Sequence, residues 1–158
     1  FRVHVQGDDI AWYREIETTK VKGPDGYLYE PVWMAPEDAE ARGIKNGDIV
    51  KVYNERGIIL TGARISQRIT PGSVVVAKGS RVDPIAPHID RGGAINLISP
   101  EATVSKNCKG FAVTGYLIEA EKLTQEEYDS WKKDYPEAFD RAYDAGQGIT
   151  RDAWVVEA

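Results

Sequence analysis

A chain of 158 residues, 42% hydrophobic and 28% charged, has the composition of one globular domain with a small appendage and is too apolar for disorder. Twenty Lys and Arg against 25 Asp and Glu set a formal net charge of -5, which argues against a general nucleic-acid binder but leaves room for a local basic pocket. The single cysteine, Cys108, excludes an intrachain disulfide and a metal site built on several thiolates, and no apolar run approaches the roughly 20 residues that span a bilayer.

The chain opens at Phe1 without an initiator Met, already inside an alternating segment, so a fragment or a processed chain is the expectation. Alternation puts Phe1, Val3 and Val5 on one strand face and Arg2, His4 and Gln6 on the other, until Gly7-Asp8-Asp9 breaks it. Lys22-Gly23-Pro24-Asp25-Gly26 is turn chemistry, and Val32-Trp33-Met34 reads as a short buried strand. Over residues 36–43, Pro at the start, acids in the first turn and Gly after the end predict a helix of one or two turns.

Strands follow at residues 49–53 and 58–65, separated by Asn54-Glu55-Arg56-Gly57, and at 73–77 after the Thr70-Pro71-Gly72 turn. A last strand is expected within residues 111–118. Many short strands, one small helix and Gly-punctuated turns argue for a mainly β barrel. From Leu123 the character changes. Thr124-Gln125-Glu126-Glu127 fits a capping box, and Tyr128, Trp131, Tyr135, Phe139 and Tyr143 recur at helical spacing, with Pro136 dividing the segment into two helices. Such a stripe serves packing more often than partner recognition.

Catalytic machinery is hard to find. There is no Walker-type loop, no Gly-x-Gly-x-x-Gly after a strand and no His-Glu-x-x-His, and His4 and His88 are the only histidines. What remains is an ordered set of polar residues. Arg2-x-His4-x-Gln6 is followed by Met34-Ala35-Pro36-Glu37-Asp38-Ala39, then by Gly43-Ile44, Asn46-Gly47-Asp48 and Val50-x-Val52. Gly57, Thr70-Pro71-Gly72 and Gly79 come next, then Asp90-Arg91-Gly92-Gly93-Ala94-Ile95-Asn96-Leu97 and Ser105-Lys106-Asn107.

Taken together over residues 1–120, these motifs resemble the C-terminal molybdopterin dinucleotide-binding domain of the dimethyl sulfoxide reductase superfamily. The spelling His4-Val5-Gln6-Gly7-Asp8-Asp9, with Asn96-Leu97-Ile98-Ser99-Pro100 and the helical tail, is most similar to its transhydroxylase large subunits, which move a hydroxyl group between polyphenols. The resemblance implies a six-stranded double-psi β-barrel over 1–120 with a helical C-terminal extension over 121–158. It implies a domain that is not catalytic alone and that binds molybdopterin guanine dinucleotide, with molybdenum held elsewhere in the parent. Upstream domains of the same large subunit and an iron–sulfur small subunit are the implied partners, with no nucleic acid or membrane. A cytoplasmic location is expected, a periplasmic one being open.

The cofactor-binding residues it implies are Arg2, His4, Gln6, Gly93, Asn96, Ser105, Lys106 and Asn107. Their chemistry suits the ligand. Arg2 offers a fork of donors to phosphate or pterin oxygens, Gln6, Asn96 and Asn107 each pair a donor with an acceptor, and Lys106 is a point charge. His4 can donate or accept. Gly92-Gly93 would let backbone amides approach the ligand. Asp38, Gly47 and Asp48 read as structural, and Cys108 as an inert thiol. Two other classes share the barrel: a self-processing pyruvoyl decarboxylase, for which Gly79-Ser80 is the available bond, and a substrate-recognition module like those of unfoldases.

Overall fold

The computed structural model of the chain describes residue 16, residues 19–107, residue 110, residues 115–140 and, as backbone, residues 143–144 and 149–150. The strand expected at residues 1–6, with Arg2, His4 and Gln6, lies outside the described residues, as does Cys108.

The first described elements are β1 (Val21–Lys22) and β2 (Leu28–Tyr29), paired antiparallel. The turn between them works because Gly26 sits at φ 81, where a side chain is strained. This hairpin lies against the sheet so closely that a Cβ on Gly62 would stand 2.2 Å from Val21 Cβ. β3 (Pro31–Met34) then buries Val32 and Met34 and turns Trp33 outward, 41% exposed. Helix α1 (Pro36–Ala41) follows the expected punctuation, with Pro36 at its start, Glu37 and Asp38 in the first turn and Gly43 at φ 64 beyond its end. Asp38 accepts from the Gly72 amide at 2.7 Å and Asp48 from the Lys45 amide at 2.8 Å, so both carboxylates fasten turns.

The central strand is β5 (Gly57–Ile65). β4 (Ile49–Asn54) pairs with it antiparallel through a two-residue turn that closes Asn54 on Gly57, where the Asn54 side chain accepts from the Arg56 amide. On its other edge β5 takes two partners in succession. β8 (Ile89–Asp90) runs parallel to Ile58–Ile59, and β3 runs parallel to residues 62–65. β6 (Val74–Val76) extends the sheet beyond β3, β7 (Pro84–Ala86) pairs with β8, and β9 (Glu119–Lys122) pairs with β4.

A strand with both neighbours in place and both faces covered reads as a continuous buried run. Residues 59–63 of β5 are all buried, and alternate side chains feed two cores. Ile59 and Ala63 join Val32, Met34, Val50, Val52 and Ile98. Leu60 joins Tyr27, Tyr29, Ile85, Ile89 and Ala138. Burial of each such aliphatic side chain contributes about 1.5–3 kcal/mol.

Thr124 caps α2 (Gln125–Asp134) with both halves of the capping box formed, and Pro136 opens α3 (Pro136–Phe139). Trp131, Tyr135 and Phe139 pack on the second core, so that much of the aromatic stripe serves packing onto the sheet. Polar ties reinforce the joint: Lys51 Nζ lies 2.6 Å from Glu127 and 3.4 Å from Glu121, and Tyr128 donates to Asp25 at 2.6 Å. Burial works to lower the Lys51 ammonium, but bonds from Glu127 and Glu121 hold it above its ordinary value.

Three expectations change. Residues 115–118 are not a strand; the last strand on β4 is β9, an edge segment whose one buried residue is Ala120, and residues 111–114 lie outside the described set. Tyr143 does not continue the helical stripe, because α3 stops at Phe139 and Tyr143 falls in β10 (Tyr143–Asp144), paired with β11 (Ile149–Thr150). The architecture is mainly β with short helices, and among the described residues the hydrogen-bonded strands do not close into a barrel. No described helix is long and apolar enough to cross a membrane.

Candidate cofactor-binding site

The loop after β8 is tied down by buried polar contacts. Asp90 is 2% exposed, and its carboxylate accepts from the Asp83 amide at 2.5 Å and from the Ala94 amide at 2.7 Å. Burial pushes the Asp90 carboxyl up, opposed by the amides of Ala94, Asp83 and Gly92, while the Asp83 charge adds to the rise. Arg91 turns the other way: its Nε donates to Asp83 Oδ2 at 3.0 Å, and its guanidinium stacks 4.4 Å from the Tyr27 ring centroid and 5.4 Å from that of Phe139. The loop is thereby tied to β7 on one side and to α3 on the other.

Gly92 and Gly93 are required by this packing. A Cβ on Gly92 would stand 2.0 Å from the Arg81 carbonyl oxygen, and one on Gly93, at φ 78, 2.8 Å from Glu30 Cβ. Gly93 is buried, so the room left by its missing side chain is taken by the protein's own Glu30, which forms a buried ion pair with Lys20.

Past the glycines, Ala94 caps a 3-10 turn, Ile95–Leu97, and Asn96 at its middle is exposed. Asn96 lines a pocket of about 280 Å³ with Val82, Pro84, Ala86, His88 and Leu97. His88, on the rim, holds φ at 60, a conformation rare for a residue with a side chain, while its carbonyl accepts from Ile58 at 2.8 Å. Ser105, Lys106 and Asn107 sit elsewhere in the chain, on an exposed loop closed at its neck by the Val104 amide donating to the Gly110 carbonyl at 2.8 Å. Among the described residues no hydrogen bond joins Asn96 to Lys106 or Asn107, and none of 105–107 lines the pocket at Asn96.

The arrangement fits a heterocycle better than a metal. Among the described residues Asn96 keeps a donor and an acceptor uncommitted, beside apolar walls that suit a flat ring face. Among the described residues no three His, Cys, Asp or Glu side chains stand together as a metal site. Two contributors to the loop, Asp90 and Arg91, stand in the motif but were given no role from sequence. An Asp shortly before a glycine pair, able to tie down amides two to four residues on, is the signal that marks the first.

Residues 9–115 match the family described as Molydopterin dinucleotide binding domain, and the chain belongs to that family. Its cofactor is molybdopterin guanine dinucleotide. The chain is 35% identical over 133 residues to the pyrogallol hydroxytransferase large subunit of Pelobacter acidigallici, covering 82% of this chain and 15% of that protein. It is 32% identical over 120 residues to the dimethyl sulfoxide reductase DmsA of Haemophilus influenzae, covering 76% and 14%. It is 48% identical over 104 residues to the trimethylamine-N-oxide reductase of Salmonella typhimurium, covering 60% and 12%. The chain thus spans about 15% or less of the length of these curated relatives.

Proposed function

We propose that the chain is the dinucleotide-holding domain of a molybdoenzyme catalytic subunit whose reaction is hydroxyl transfer between polyphenols. The carrying observation is the 35% identity to the pyrogallol hydroxytransferase large subunit across 82% of the chain. In this reading Arg2, His4, Gln6, Gly93, Asn96, Ser105, Lys106 and Asn107 line one cofactor site, with the polar side chains meeting the heterocycles and Lys106 facing phosphate. The strands at hand, with the one expected at residues 1–6, belong to a double-psi barrel over 1–120, and 121–158 is its helical extension. Upstream domains of the same subunit, and an iron–sulfur small subunit, supply the rest of the active site, in a cytoplasmic enzyme.

When bound, the cofactor supplies the molybdenum centre at which the parent's chemistry takes place. The work of this chain is binding and orientation. The Asn96 amide pairs with a heterocycle edge through one donor and one acceptor, and the apolar pocket wall excludes water from that pairing.

A second reading, reduction of an S- or N-oxide, is favoured by the 48% identity to the trimethylamine-N-oxide reductase. The full-length gene product, purified with molybdenum, separates them. Hydroxyl transfer involving pyrogallol without oxide reduction is the expected result; viologen-dependent reduction of trimethylamine N-oxide without hydroxyl transfer replaces the first reading with the second. Absence of guanine nucleotide from the purified protein overturns both.

A further inference from the structure

We infer that Asp90 is a positioning residue of the cofactor site: its carboxylate clamps the backbone of the Gly92–Gly93–Ala94 segment and so aims the Asn96 side chain at the dinucleotide. The inference rests on the assignment of this loop to the cofactor and deepens it.

Asp90 sits in β8, ends its hydrogen-bonded pairing and is 2% exposed. Among the described residues no cation pairs with it, because Arg91, the adjacent one, is turned to Asp83. A buried carboxylate facing backbone amides alone is a costly way to close a turn. What it provides is two acceptor oxygens pointing to two different segments. Oδ1 takes the amide of Asp83, just before β7, and Oδ2 takes the amide of Ala94. Ala94 is the residue that caps the 3-10 turn, its carbonyl accepting from the Leu97 amide at 3.1 Å, and Asn96 lies inside that turn. Asp90 therefore fixes the N-terminal end of the turn, as Asn54 fixes its C-terminal end by donating to the Ile98 carbonyl at 2.8 Å.

The glycines make the clamp necessary. Two of the three residues between Asp90 and the Ala94 cap, Gly92 and Gly93, are of the type with the widest intrinsic backbone freedom, so packing on the Arg81 carbonyl and on Glu30 has to be supplemented to fix the path of the chain. The far end of the turn is held by Ile98 in the first core and by its bond from Asn54; without Asp90 at the near end, Asn96 would sample more orientations, and ordering it would weaken cofactor binding. Asp90 belongs to the lining of the pocket at Asn96, but at 2% exposure its carboxylate is committed to backbone amides, so its part is positioning rather than contact.

The test is a double-mutant cycle in the full-length gene product, reading guanine nucleotide and molybdenum per protein and amide exchange over residues 90–97. Asp90→Asn keeps the shape but places a donor against one of the amides. It should lower cofactor occupancy at least about fivefold and speed exchange at Ala94 about tenfold, with exchange elsewhere in the sheet unchanged. Asn96→Ala should lower occupancy as well. The decisive reading is non-additivity: the double variant loses no more than the worse single variant, since Asp90 acts through Asn96. Additive losses, or unchanged occupancy in Asp90→Asn with a loosened loop, overturn the positioning role while leaving the cofactor assignment intact. A wild-type protein lacking guanine nucleotide instead sinks the assignment itself. Asp90→Ser, which adds no bulk, is the second variant, and if neither accumulates folded the carboxylate serves folding and the positioning role is withdrawn.

Discussion

Two loops carry implied ligand residues, and they are built on opposite plans. Residues 90–97 hold a buried carboxylate, a buried ion pair and two glycines that no larger residue can replace, so that one side chain, Asn96, faces the pocket from a fixed frame. Residues 101–107 are exposed throughout, with the bond from Val104 to Gly110 closing the neck. The first loop meets its ordering cost during folding, while in the proposed function the exposed Lys106 and Asn107 would meet theirs on binding. Under the proposed function, the first loop would set where the ring edge lies and the second would meet the phosphates.

Substitutions in the first loop break this contrast most severely. Arg91→Met should cost about 3 kcal/mol, because it removes one member of an ion pair whose side chains are 6% and 7% exposed. Gly92→Ala should cost on the order of 3 kcal/mol, since its Cβ meets a backbone carbonyl at 2.0 Å. Denaturant unfolding monitored by far-ultraviolet dichroism measures both, and losses under about 1 kcal/mol would remove the rigid frame.

The joint between sheet and tail gives middling effects. Thr124→Ala removes the capping box of α2 and should cost about 1 kcal/mol. Acid loosens the same joint. Bonds from Tyr53 and Lys51 hold Glu121 below its ordinary value, and Lys51 and Thr124 prevail over burial to do the same for Glu127. Their contribution is thus present above the ordinary value of 4.5 and lost as pH falls through the folded values. Asp90 has the opposite sign. Its carboxyl is raised above 3.8, so between that value and the folded one the native state holds more protons, and acid favours it there. Amide exchange between pH 6 and 3 should show α2 opening before residues 90–97; the reverse order contradicts these directions. The smallest effect belongs to the second loop, where Lys106→Ala should change stability by less than about 0.5 kcal/mol while lowering nucleotide retention.

What was legible in the sequence follows from the range of the interactions involved. Helix α1, the capping box at Thr124 and the break at Pro136 are written by residues within one turn of each other. β9 was missed because Glu119–Lys122 is an edge strand, polar but for Ala120, held by pairing with β4 and by Lys51 and Tyr53 reaching Glu121. The nearby apolar residues Tyr116 and Ile118 pack against the first core without being in a strand, which is why they drew the expectation toward themselves. β7 and β8, three and two residues long, have no periodicity to read. In the candidate site, Asn96 and Gly93 were marked by the motif, but Asp90 and Arg91 act through partners at residues 83, 27 and 139 that only the fold brings near.

Amide exchange of the full-length gene product, with its nucleotide bound and after its removal, probes the division between the two loops most directly. Residues 92–97 should exchange slowly in both forms, within about twofold of each other, while residues 104–107 slow by about tenfold or more only when the nucleotide is present. Fast exchange at 92–97 that becomes slow on binding, with 104–107 indifferent, would contradict the account.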